Sequence, residues 1–215
     1  TMELDFSPVW AGWYQLLQGT LVTVEVTAAS LALGCVMGLL IGIGRLNPKR
    51  RIIYALCTTY VAVIRGTPLL VQLFILFFGL PQFGILLPAF LCGVIGLGVY
   101  SGAYVSEVVR GAIQSIDRGQ MEAAEALGMG KTKIMWRIIL PQAMRVIVPP
   151  TGNETIGMLK TTSLVLAVPF TLDLTFASNT LANRNYLPVP LLIVAAICYL
   201  VITSLLMVGQ HLIEA

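Results

Sequence analysis

Apolar positions run at span length in five places along the chain: Leu16 to Gly44, Ile52 to Leu80, Pro88 to Val109, Val146 to Pro169 and Leu187 to Gly209. A helix needs about 20 predominantly apolar residues to cross a hydrocarbon core of roughly 30 Å, so each stretch predicts a transmembrane helix. The expectation is an all-α integral membrane protein of five transmembrane helices. The first two stretches exceed the minimum, which predicts tilt, a bend or an interfacial portion in each. Between the third and fourth, the pattern turns charged and rich in small residues at Glu122 to Pro141, "EAAEALGMGKTKIMWRIILP". Gly119 to Leu127 holds good helix formers, Gly128 to Gly130 permits a sharp change of direction, and Lys131 to Ile139 suits a second short helix before Pro141 interrupts it. The insert, about residues 113–141, therefore reads as helix, turn, helix. Its second piece is amphipathic, with Ile134 and Ile138 on one stripe and Lys133 and Arg137 on another.

Charge placement orients the spans. Arg45, Lys49, Arg50 and Arg51 lie between the first two stretches, and Arg110, Arg118, Lys131, Lys133, Arg137 and Arg145 lie in or beside the insert. Leu80 to Pro88 has no Lys or Arg, and Phe170 to Tyr186 has only Arg184. The positive-inside rule then places both basic loops in the cytoplasm, the N-terminus outside and the C-terminus inside. Met2 to Tyr14 carries Glu3 and Asp5 and no basic n-region, so no cleavable signal is expected there. Composition agrees with a membrane protein: of 215 residues 57% are apolar and only 11% charged, and the mean hydropathy is +0.88. The net charge of +3 is explained by topology without a nucleic acid partner. Cys35, Cys57, Cys92 and Cys198 sit in apolar runs without CxxC or Cys/His spacing, so they read as packing residues rather than disulfides or metal ligands.

An odd span count with opposite-facing termini, and no internal repeat, points to one half of a transporter needing a partner copy or paralogue. On physical grounds the insert has two readings. Ala123, Ala124, Ala126 and Gly128 permit close approach by another protein, with Glu122 and Glu125 for polar contact; alternatively the helix rests on lipid headgroups.

Glu122-Ala123-Ala124, three residues, Gly128, nine residues, then Ile138-Ile139-Leu140-Pro141 resembles the EAA signature of the membrane subunits of bacterial ABC importers. "RGTPLLVQ" from Arg65, "GLPQFGI" from Gly79, "YVSEVVRGAIQSIDRGQMEAA" from Tyr104, "LPQAMRVIVPPTGNE" from Leu140 and "MLKTTSL" from Met158 resemble the polar amino acid subfamily. The resemblance covers nearly the whole chain as one permease domain, residues 1–215, of the type I importer fold. It implies that the insert is a coupling helix seated in a cleft of an ATP-hydrolysing subunit. Glu122 would make polar contact, Ala123 and Ala124 would allow close approach, and Gly128 would form the turn.

Charges inside spans cost roughly 2.5 to 3.5 kcal/mol at a bilayer centre, so Glu25, Arg65, Glu107, Glu154 and Lys160 need partners or a wet cavity. Arg65-Gly66-Thr67-Pro68 breaks the second span, and Pro149-Pro150-Thr151-Gly152-Asn153-Glu154 is expected to interrupt the fourth. Such breaks either bend helices for packing or form a midplane substrate site. At 100° per residue Glu154, Met158 and Thr161 share a stripe, while Asn153 and Lys160 share another about 120° away. With the resemblance included, the candidate substrate site is Glu154, Thr67, Leu69, Gln72, Asn153, Met158, Lys160 and Thr161. Glu154 receives the substrate's ammonium group, and Thr67, Leu69 and Gln72 contribute partly through backbone groups. Lys160 either neutralises the substrate carboxylate or pairs with Glu107 or Glu25. Proteins it resembles often carry an acid at the place of Thr161, so a neutral or zwitterionic amino acid is favoured over a cationic one. Glu107 and Arg110, three positions apart, read as a local ion pair.

No GxxxxGK[ST] loop occurs, so hydrolysis by that route must come from another chain. The reading is a non-catalytic subunit, with no cofactor of its own, in a bacterial cytoplasmic membrane and surrounded by lipid. The implied partners are an ABC ATPase dimer carrying ATP and Mg, a second permease subunit, identical or paralogous, and an extracytoplasmic amino-acid-binding protein. The competing reading is an ion-coupled carrier or channel acting without ATP, in which the EAA insert has no purpose. A membrane-embedded enzyme lacks a HExxH pair, a Ser/His dyad or clustered carboxylates.

Overall fold

The computed structural model describes residues 5–168 and 172–214. Glu3 and the predicted loop and span boundaries at Pro169 and Phe170 lie outside the described residues. The described residues form helices and connecting turns. Helix α1 is a single run over Ser7–Gly44. It packs most intimately on α4, Ala89–Ser115. The contact is close because glycines recur every fourth position on the facing side of α1: a Cβ at Gly34 would stand 2.8 Å from Ser101 Oγ, at Gly38 2.5 Å from Val105 Cγ1, and at Gly42 2.9 Å from Val109 Cγ1. Small residues at this spacing let two membrane helices approach backbone to backbone.

The second predicted span is bent. Helix α2, Arg51–Gly66, and the run Leu69–Phe83 meet at 105°. That run comprises α3, Leu69–Phe74, a π turn and a 3-10 turn. Thr67 is extended, with φ −120° and ψ 145°, as expected before a proline. Pro68 has no N–H to offer the Ile64 carbonyl one turn back. Gln72 Nε2 supplies the missing donor at 2.9 Å, and Thr67 Oγ1 donates to Val63 O at 2.8 Å. The break is thus hydrogen-bonded, which lipid or a narrow cavity demands.

The insert has the predicted outline. Asp117 caps α5, Arg118–Ala126, by accepting from Gly119 N at 2.9 Å. The helix ends in a paired C-terminal cap, with Gly128 N on Glu125 O at 2.9 Å and Met129 N on Ala124 O at 3.1 Å. Gly128 has φ 79°, a left-handed conformation that a side chain resists.

Two expectations are corrected beyond it. Pro141 does not end the second piece: α6, Lys131–Ile134, runs through a π turn, Met135–Ile139, into α7, Leu140–Thr161. The widened turn ends two positions before Pro141, which cannot donate, so the helix absorbs the proline instead of stopping. Pro149 and Pro150 likewise lie inside α7 without breaking it. Side chains bond the backbone around them: Thr151 Oγ1 donates to Ile147 O at 2.8 Å, and Gln210 Nε2 donates to Pro149 O at 3.3 Å.

Helix α8, Leu174–Asn185, fills a region predicted as a loop. Asp173 caps it, and its first residue lies so close to α1 that a Cβ on Gly19 would stand 2.9 Å from Leu174 Cα. Helix α9, Pro188–Glu214, closes the chain. Among the described residues α1, α4 and α9 are long and apolar enough to cross a membrane, and the bent α2–α3 pair makes up to a fourth span. Helix α7, in the place of the predicted fourth span, does not meet that measure; it carries Arg145, Glu154 and Lys160.

Candidate functional site

The two stripes predicted on α7 face different surroundings. Glu154, Met158 and Thr161 line a cavity of about 140 Å³ together with Gly157 and, from α4, Leu97, Tyr100 and Tyr104. Glu154 is partly buried and makes no hydrogen bond or ion pair with the described residues. An acid in that state is a group waiting for a cation or for water. Thr161 Oγ1 donates to Gly157 O at 2.9 Å, so its proton is committed to the helix backbone and the oxygen is left as an acceptor. The tyrosines are site residues that the sequence reading did not name. Their rings stack at 4.8 Å with a 41° tilt, and Tyr100 Oη lies 3.1 Å from Tyr104 Oη. Aromatic positions on an apolar helix look like packing until the facing helix is known.

Asn153 and Lys160 lie elsewhere, in a cleft with Ile156, Met207, Gln210 and His211 between α7 and α9. Gln210 Nε2 donates to Asn153 Oδ1 at 3.4 Å. No ion pair reaches Lys160 among the described residues, so neither Glu107 nor Glu25 is its partner. Of the residues expected from the second span, Leu69 is buried in the core beside Leu73, Leu97 and Val165. Thr67 and Gln72 are engaged with each other and the broken backbone, Gln72 Nε2 lying 2.8 Å from Thr67 Oγ1. A wider cavity of about 500 Å³, between α1, α4, α7 and α9, is walled by Leu39, Val105, Ile147, Leu205 and similar side chains. It presents no charged group and suits hydrocarbon rather than a polar solute.

Glu107 does pair with Arg110, at 2.6 Å from Nη2, as the spacing predicts. It also pairs with Arg45 at the end of α1 and, at 3.8 Å, with Arg65 at the end of α2. One carboxylate therefore serves three guanidinium groups from three helices. Arg65 in addition lies 5.1 Å over the Tyr104 ring, a cation–π distance.

At the insert, Glu122, Ala123 and Gly128 are exposed, as are Met121 and Leu127. Ala124 turns inward and is buried with Ile113, Ile134, Ile139 and Ala143. It seats α5 on the ends of the long helices, so the outward face is carried by Glu122, Ala123, Leu127 and Gly128.

Residues 30–215 match the family described as the binding-protein-dependent transport system inner membrane component. The chain belongs to this family. The arginine transport system permease protein ArgU of Corynebacterium glutamicum is 44% identical over 215 residues, spanning 93% of this chain and 67% of its own length. The L-cystine transport system permease protein TcyB of Bacillus subtilis is 37% identical over 203 residues, spanning 94% of this chain and 86% of its own. A solved structure described as an amino acid ABC transporter with histidines superposes with a TM-score of 0.91 at 37% identity, covering 99% of each chain. The family is one of inner-membrane permease components, which fixes the localisation and agrees with the EAA resemblance of Glu122 to Pro141.

Proposed function

We propose that this chain is the non-catalytic permease subunit of an ATP-driven amino acid importer, acting as one domain over residues 1–215. The observation that carries the proposal is the capped helix–turn–helix insert, whose exposed Glu122, Ala123 and Gly128 form a small-residue knob on a permease-family fold. The insert is cytoplasmic, the N-terminus outside and the C-terminus inside, because the basic loops demand it. Helix α7 is then the fourth crossing along the chain and brings the count to five, its polar residues turned to the cavity and to neighbouring helices. Two ATPase subunits holding ATP and Mg close on the insert of this chain and that of a second permease, identical or paralogous. A knob seated on the continuous α6–α7 helix transmits that motion directly to Glu154, and the spans rock around the midplane cavity. An extracytoplasmic binding protein delivers the substrate.

Glu154 receives the ammonium group of the amino acid. A hydrogen bond to a charged group is worth about 1.5–3 kcal/mol. Thr161 brings no second negative charge, which favours a neutral or zwitterionic side chain over a cationic one. The test is purification of the chain with its neighbouring ATPase and binding protein. A stable complex whose ATPase is stimulated by an amino acid supports the proposal. Amino acid transport by the isolated chain in liposomes without ATP would replace it with an ion-coupled carrier.

A further inference from the structure

We infer that Arg65, and not Lys160, is the group that receives the substrate carboxylate; the inference rests on the amino acid reading of the Glu154 cavity. A zwitterion needs a cation near the acid that holds its ammonium group. Lys160 is on the wrong face of α7, in the cleft against α9. Arg45 and Arg110 are committed: Arg45 occupies Glu107 Oε1 and its side chain is only 12% exposed, while Arg110 holds Oε2 through Nε and Nη2. Arg65 is the loosely held member of the trio. Its Nη1 stands 3.8 Å from an oxygen that Arg45 already occupies, and its side chain is 45% exposed. Three guanidinium groups against one carboxylate leave an excess of positive charge that favours a second anion.

Position supports the same assignment. Arg65 lies on the ring of Tyr104, and Tyr104 forms the wall of the cavity that contains Glu154. Arg65 also precedes the break at Gly66–Pro68, where the backbone leaves helical geometry and the side chain is not locked into a continuous ladder. A guanidinium offers a planar pair of donors that fits a carboxylate in bidentate fashion, which an ammonium group does not.

The experiment uses the purified permease–ATPase complex without binding protein, so that only the membrane site discriminates. Binding of each of the twenty L-amino acids is measured by scintillation proximity, and the tightest is compared with its carboxamide, which keeps the ammonium group and loses the negative charge. The wild-type complex is expected to prefer the acid at least tenfold. Arg65→Gln is expected to abolish that preference by weakening the acid and not the amide, and Arg65→Lys to restore part of it. Lys160→Gln is expected to keep the preference. Retention of the preference in Arg65→Gln, or its collapse in Lys160→Gln, would overturn the assignment, and because a ratio is read, partial loss of folded complex does not mimic either result. Glu154→Gln is expected to weaken acid and amide alike. A wild-type complex that binds none of the twenty overturns the amino acid reading itself, and the role of Arg65 with it.

Discussion

Substituting alanine for Gly38 and, separately, for Gly111 should move stability in opposite directions, although both glycines sit in the interior of long helices. At Gly38 the added Cβ would stand 2.5 Å from Val105 Cγ1, 2.6 Å from Val105 Cβ and 3.1 Å from Ser106 N. Carbon atoms in favourable contact are about 3.5–4.0 Å apart, so α1 and α4 must separate by about an ångström along their tightest seam. Val105 Cβ is fixed to the backbone and cannot swing away. Overpacking of this kind costs about 1–3 kcal/mol, against which alanine returns about 1 kcal/mol of helix propensity over glycine. At Gly111 nothing lies within 4 Å of the added Cβ, and only the propensity gain of up to about 1 kcal/mol remains. The difference between the two variants cancels propensity and isolates the packing cost, about 1–3 kcal/mol with Gly38→Ala the less stable. Titration with SDS in mixed micelles, followed by tryptophan fluorescence, measures both. Equal midpoints would refute the claim that the Gly34–Gly38–Gly42 seam holds α1 against α4.

Three further outcomes are expected. Glu107→Gln leaves Arg45, Arg65 and Arg110 without their shared acid and should destabilise the chain by about 3–5 kcal/mol, the cost of breaking a largely buried ion pair; a loss below about 1 kcal/mol in the same titration would contradict the hub. Glu154→Gln should raise the Kd for the transported amino acid about tenfold to a hundredfold, measured on the permease–ATPase complex, and an unchanged Kd would remove Glu154 from the site. Gly128→Val forces a β-branched residue into a left-handed turn at a cost of about 1–2 kcal/mol and should lower the yield of co-purified ATPase. Gly130→Ala, at φ −69° with open space around it, should not; equal yields of the two would contradict the role of the turn.

What was legible in the sequence was local. The turn at Gly128, the break at Thr67–Pro68, the Glu107–Arg110 pair and the separation of Glu154 from Lys160 all follow from spacing within one helix or one turn. What was not legible depends on distant residues. Gly38 meets Val105, Arg45 and Arg65 reach Glu107, and Tyr100 and Tyr104 face Glu154, each across a chain separation that periodicity does not encode. The prolines misled for a related reason. Pro141, Pro149 and Pro150 carry local signals that end helices, yet the helix runs on through all three, with a π turn just before Pro141 and side chains from α7 and α9 bonded to the backbone beside the proline pair. Ala124 shows the same limit at the insert: its small size suggested an outer face, while burial beneath α5 depends on Ile113 and Ile139.

The central claim is that an ATPase drives this permease through the exposed face of the insert. ATP-dependent uptake of an amino acid by proteoliposomes carrying the complete complex, with wild-type chain and with Ala123→Trp, tests it most directly. The bulky side chain replaces a small, exposed one that faces away from the chain's own core, so the spans and the amino acid site should remain intact. The expected result is that amino acid binding to the permease persists while ATP-driven uptake falls at least tenfold. Uptake at the wild-type rate with tryptophan at that position, or uptake that does not require ATP at all, would contradict the account.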